Sequence, residues 1–204
     1  MLSIGCSGGS GKPDAPPSDD AVARCPIGDI NAPAELEIMH YDSTLQLFQT
    51  AAGDRVPLIA PPQGGWIVLL GARARNLDGC RIDLTTSFAD PCGGAPIKVD
   101  RRPTKLEPTA DGWGTIAAID AGNLPICPQL TAAHDLHDEP YEITVTLEDR
   151  DGKRVSKSLT VVPVCPDPDP TGRCLCECDH NYVVGGTCPP GGADAGPQAC
   201  DAGL

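Results

Sequence analysis

Aromatic side chains make up only 3% of this 204-residue chain. A core must therefore rest on Val, Ile, Leu and Ala, with little help from ring packing. Basic residues are scarce as well: 15 Lys and Arg against 28 Asp and Glu leave a formal charge of −13. A phosphate backbone is gripped by clustered Lys and Arg, so this balance argues against a nucleic-acid partner and against an anionic membrane held by charge alone. No run approaches the roughly 18 apolar residues that span a bilayer as a helix. No apolar period of 3.6 persists for a dozen residues, so long helices are not expected. Catalytic signatures are scarce too, since the chain has no H-E-x-x-H and no dinucleotide glycine motif. "GGSGK" fails as a phosphate loop, because Cys6 stands where the first glycine belongs and Pro13 follows Lys12. The expectation is a non-enzymatic protein without a cofactor. A secreted hydrolase with a carboxylate pair in a cleft stays open as an alternative, because sequence does not reveal such a pair.

Cysteine, by contrast, is abundant. The eleven are Cys6, Cys25, Cys80, Cys92, Cys127, Cys165, Cys174, Cys176, Cys178, Cys188 and Cys200. That number suits an exported chain in an oxidising compartment. With Cys6 set aside, the other ten are disulfide candidates.

The first residues give Cys6 a different role. "LSIGC" followed by "SGGSGK" resembles the cleavage site of bacterial lipoproteins, in which an apolar stretch ends in small residues just before a lipid-carrying cysteine. Ile4 and Gly5 fit the two positions before it, whereas Ser3 departs from the usual Leu. The resemblance implies lipid attachment at Cys6, with "MLSIG" as the end of an export signal cut short. It also implies a place in the bacterial cell envelope, anchored to the outer membrane or extracellular. Residues 7–22 are mostly Gly, Ser, Pro and Asp, a composition that suits a flexible tether. Residues 1–32 are read as signal remnant, attachment site and tether.

Between residues 33 and 165 the texture changes to short alternating runs separated by turn residues. "ELEIMHY" and "TLQLFQT" alternate, "GWIVLLGARA" is continuously apolar, and "CRIDLTTSF" sets Ile82, Leu84 and Thr86 on one face. "WGTIAAI" and "NLPICPQL" are weaker strand candidates. "YEITVTLEDRDGKRVSKSLTVVPV" reads as a hairpin, with Asp151-Gly152 in its turn. Many short strands with regular turns predict an all-β sandwich. The hairpin resembles the closing strands of immunoglobulin-like and PKD-like bacterial modules. That likeness implies a tyrosine-corner role for Tyr141. The wider pattern, including "PPQGGWIVLLGARARNLDG", is similar to that of uncharacterised bacterial envelope lipoproteins. Cys80 and Cys92 bracket a short excursion, Cys127 and Cys165 flank the final hairpin, and both pairs are offered as bridges, although spacing alone does not fix connectivity.

Residues 166–204 form a cysteine-rich tail. Cys176-x-Cys178, the aromatic Tyr182 and Cys188 resemble the second half of an EGF-like module, though too few cysteines precede them for a whole one. In an extended chain Cys174, Cys176 and Cys178 would share a face. The tail cysteines with His180 also offer ligands to a soft metal. "HDLHDE" places His134 and His137 beside three acids as a second metal candidate, and "DRDG" and "DPDP" offer carboxylates to calcium. The reading is therefore a lipid-anchored structural or adhesive module, binding a protein or glycan through its loops. A metal-binding envelope protein built on the tail cysteines or on His134 and His137 is the alternative.

Overall fold

Tyr141, Ile143, Val145 and Leu147 alternate with polar residues, and all four are fully buried. They lie on a strand of residues Tyr141–Asp149 that turns back through residues Arg154–Val164 in one long antiparallel hairpin. At the turn Gly152 takes a φ of +81°, open to glycine at little cost. Asp149 fixes the turn by accepting the N–H groups of Asp151 and Lys153, each at 2.9 Å, on one carboxylate oxygen.

The computed structural model describes residues 24–90, 96–129, 132, 134–169 and 171–188. In chain order the strands are β1 (Pro26–Ile27), β2 (Glu35–Tyr41), β3 (Leu47–Gln49), β4 (Arg55–Pro57), β5 (Trp66–Arg75), β6 (Leu77–Asp78) and β7 (Ile82–Ala89). They continue as β8 (Lys98–Thr104), β9 (Glu107–Pro108), β10 (Gly114–Thr115), β11 (Gly122–Cys127), β12 (Tyr141–Asp149) and β13 (Arg154–Val164). One short helix, α1 (Arg173–Cys178), follows.

Two sheets face each other. The first runs β3-β2-β5, with β11 and the β10-β9 pair along the other side of β5. The second runs β4-β13-β12-β7-β8, with β4 parallel to β13. The orders β2-β5-β11 and β13-β12-β7-β8 correspond to the A-B-E and G-F-C-C′ strands of an immunoglobulin-like sandwich. The expected fold class is the one observed. Between the sheets pack Ile38, Val68, Leu70 and Ala72 from one side and Ile82, Leu84, Phe88 and Ile143 from the other. Each large aliphatic side chain so buried contributes about 1.5–3 kcal/mol. Phe88 stacks on Tyr141 with ring centroids 4.6 Å apart, so two of the few aromatics meet in this core. Where β11 crosses β7, a Cβ on Gly122 would come within 2.5 Å of the Thr86 side chain, so only glycine permits that approach.

The bridges differ from those offered by spacing. Cys80 bonds to Cys25 rather than Cys92, because the excursion that begins at Cys80 is an eight-residue strand crossing the sandwich, not a loop. Cys127 and Cys165 do not bond to each other either; they bond to Cys178 and Cys174. The segment from Cys25 is tied to the sandwich by the Cys25–Cys80 bridge and by β1.

The tail is not extended at its cysteines. "RCLCEC" forms α1, and the i, i+4 spacing turns Cys174 and Cys178 to one side. Asp169 secures the start of this helix by accepting the Cys174 N–H at 2.8 Å. Burial raises the pKa of Asp169, but donors from Cys174, Thr171 and Leu175 outweigh it and leave the carboxyl below its ordinary value. Cys174 is bridged to Cys165 beyond the end of β13, and Cys178 to Cys127 at the end of β11. The helix therefore clasps both sheets covalently at one end of the sandwich.

Candidate functional site

At the opposite end the B–C and F–G type connections meet the N-terminal segment. Asp78 lies between β5 and β7 and is 4% exposed; Asp149 ends β12 and is 7% exposed. They are linked in series. Asp149 accepts the Asp78 N–H at 3.1 Å, and Asp78 Oδ1 accepts the N–H groups of Cys25 and Cys80, both at 3.1 Å. The other Asp78 oxygen, Oδ2, is buried without a hydrogen-bond partner. Lys153 reaches across to the carbonyl of Ile30 at 2.8 Å and to that of Ala32. Asn76 holds the same segment, accepting from the Asp29 N–H at 3.0 Å and donating to the Pro33 carbonyl at 2.8 Å. These bonds lock three connections whose own backbone ladders end here.

They surround a cleft of about 140 Å³ lined by Arg24, Pro26, Ile30, Asp78, Asp149, Asp151 and Lys153. Its rim carries both charges, with Arg24 and Asp151 paired at 3.2 Å and largely exposed. Ile30, an exposed apolar residue, adds an edge that water does not solvate well. Such a cleft suits a small group with an apolar body and polar ends. Asp78 and Asp149 are the carboxylate pair in a cleft that sequence left hidden. Asp149 spends both oxygens on backbone N–H groups, and Asp78 spends one on two more. Their observed work is to hold loops. The "DRDG" turn likewise uses Asp149 on its own backbone, and "DPDP" uses Asp169 to start α1.

The tail cysteines Cys174, Cys176 and Cys178 and the candidate histidines fall at the clasped end. Cys6, Cys92 and Cys200 lie outside the described residues. The remaining eight cysteines pair as Cys25–Cys80, Cys127–Cys178, Cys165–Cys174 and Cys176–Cys188. None of the four tail cysteines offered to a soft metal keeps a thiol, and Cys178 reaches back to β11 instead of closing a module of its own. The histidines take three separate partners. His134 Nε2 lies 3.3 Å from Asp90, His137 Nδ1 accepts the Cys165 N–H at 2.9 Å, and His180 Nδ1 lies 2.7 Å from Asp135. Among the described residues, the groups of three metal-ligating side chains with converging donor atoms include neither His134 nor His137.

Tyr141 behaves as its resemblance implied. Its hydroxyl donates to the carbonyls of Asp135 at 3.0 Å and His134 at 3.2 Å, pinning the chain six and seven residues upstream. Burial, then the charges of Asp90, Glu139 and Asp135, pushes this phenol well above its ordinary pKa, so it stays a donor. Sequence reasoning missed Arg24, Asp78, Lys153 and Asp179. For Asp78 a signal existed, since "LDGC" sets an acid in a turn against a bridging cysteine. No protein-family model matches the chain, and among curated proteins no relative matches it.

Proposed function

We propose that this chain is a non-enzymatic binding module of an oxidising, extracytoplasmic compartment. A lipid on Cys6 holds it to a bacterial envelope membrane, and it engages a protein or glycan partner through its loop end. The observation that carries this reading is the cleft between the B–C and F–G type connections, rimmed by Arg24, Asp151 and Lys153. Sandwiches of the variable type place their recognition loops at this same end. The four bridges support the compartment, because such bonds persist where glutathione does not reduce them. Arg24 lines the cleft, so a lipid on Cys6 would tether the domain by its loop end. Seventeen residues separate Cys6 from Arg24, a reach of at most about 60 Å.

The test is a binding screen of the immobilised domain against envelope glycans and solubilised envelope proteins, followed by an Arg24→Glu/Ile30→Asp variant. Both side chains are exposed, so the fold should tolerate the changes. A partner of the loop end loses at least tenfold in affinity. Undiminished binding by the variant removes the cleft from the interaction.

A further inference from the structure

The acidic loop that follows β11 and the tail that follows α1 lie 45 residues apart in sequence, yet they build one cluster. Asp135, Asp179 and His180 present a carboxylate, a second carboxylate and an imidazole nitrogen, all within 4.8 Å of one another. His180 Nδ1 stands 2.7 Å from Asp135 Oδ1 and 3.8 Å from Asp179 Oδ1. Their side chains are only 14% (Asp135), 13% (Asp179) and 21% (His180) exposed. Among the described residues neither carboxylate pairs with a Lys or Arg, so two largely buried carboxyl groups share a single imidazole.

We propose that Asp135, Asp179 and His180 bind one first-row divalent cation, zinc in the first instance, at the clasped end of the sandwich. Zinc takes imidazole nitrogen and carboxylate oxygen at about 2.0–2.2 Å, which sets neighbouring donors of a tetrahedral site roughly 3.3–3.6 Å apart. The two observed separations bracket that range, so the His180 imidazole has to part from Asp135 and draw in toward Asp179 for all three to reach one ion. Two carboxylates cancel the charge of the ion. Imidazole favours zinc, copper or nickel over calcium and magnesium, which prefer all-oxygen cages. Three protein ligands leave a fourth position for water or a partner's donor group.

The positions are held from several sides. The Tyr141 hydroxyl fixes the Asp135 carbonyl, and the His180 N–H donates to Asp135 Oδ1 at 3.0 Å. Asp179 accepts the Asn181 N–H at 2.7 Å, and the Cys127–Cys178 bridge anchors the residue just before it. This cluster draws one residue from "HDLHDE" and two from the tail, and it uses neither His134 nor His137.

The experiment is a zinc titration of the full chain at pH 7.5 by calorimetry, untagged, with disulfides intact and free thiols alkylated without reduction. One equivalent should bind saturably, and calcium should not compete. His180→Gln and Asp179→Asn should each weaken zinc at least tenfold, whereas His137→Gln should not. Asp179→Asn keeps an oxygen for the Asn181 N–H, so a folding loss is not expected there. As a second readout, the His180 imidazole resonances should shift in nuclear magnetic resonance spectra on adding zinc. The proposal fails if no stoichiometric binding is seen, or if binding survives both His180→Gln and Asp179→Asn.

Discussion

The two ends of the sandwich are fastened by different chemistry. The loop end is tied by carboxylates that accept backbone N–H groups, with one bridge, Cys25–Cys80, behind them. The clasped end is tied by sulfur: α1 is bonded to both sheets, and a third bridge, Cys176–Cys188, closes the loop beyond it. Hydrogen-bonded carboxylates leave side chains such as Arg24 and Lys153 at the rim, where a partner can meet them. The bridges of the clasp bury their atoms: Cys174 and Cys178 are fully buried, and they add to the apolar core. A fold poor in aromatics thus gains apolar bulk and covalent closure from the same residues.

The comparison breaks most visibly at the clasp. Removing the Cys127–Cys178 bridge by a double serine substitution opens a loop of 51 residues. The loop-entropy account sets the loss at about 4 kcal/mol, read as a fall in the urea midpoint. Cys176→Ser with Cys188→Ser should cost less global stability and mainly loosen the final loop, seen as faster amide exchange there. Equal losses from the two pairs would show that α1 does not act as the clasp.

A smaller effect belongs to the loop end. Asp149→Ala leaves the N–H groups of Asp78, Asp151 and Lys153 without their acceptor. The expected cost is about 3 kcal/mol, since bonds to a charged group are worth more than neutral ones. Amide exchange should quicken at those three residues and stay slow around Cys165. If protection falls evenly at both ends, the two fastenings are not independent.

The smallest is Tyr141→Phe. It keeps the stacking on Phe88 and removes one hydroxyl from the Asp135 and His134 carbonyls. A loss of about 1–2 kcal/mol is expected by equilibrium unfolding, with no change in the exchange of residues 76–80.

Much of the fold was legible because burial repeats every second residue. The hairpin of β12 and β13 and the central strand β5 show that period or a continuous apolar run, and both form where expected. Strand β8 was not foreseen, because "KVDRRPT" sits at a sheet edge and needs no apolar face. Its charges and proline suit an edge that must not pair further. Helix α1 was hidden for another reason. Six residues are too few to show a helical period, and the Cys-x-Cys alternation suggests a strand. Two bonds to the sheet ends hold it in place. Asp135 and His180 were each marked in the sequence, but in separate motifs, and only the docking of the tail on the loop before β12 brings them together. The Asp78–Asp149 pair was illegible for the same reason, being 71 residues apart.

The Cys25–Cys80 bridge carries a mechanical consequence. A pull on the chain before Arg24 would peel β1 easily, since that strand pairs through only two residues. The sulfur bond diverts the load to Cys80, just ahead of β7. Along β7 the force then meets eight residue pairs with β12 and seven with β8. A pull along the strands strains those ladders in shear, so many hydrogen bonds must yield together. Whatever tension reaches the domain through its N-terminal chain is borne by its central strands.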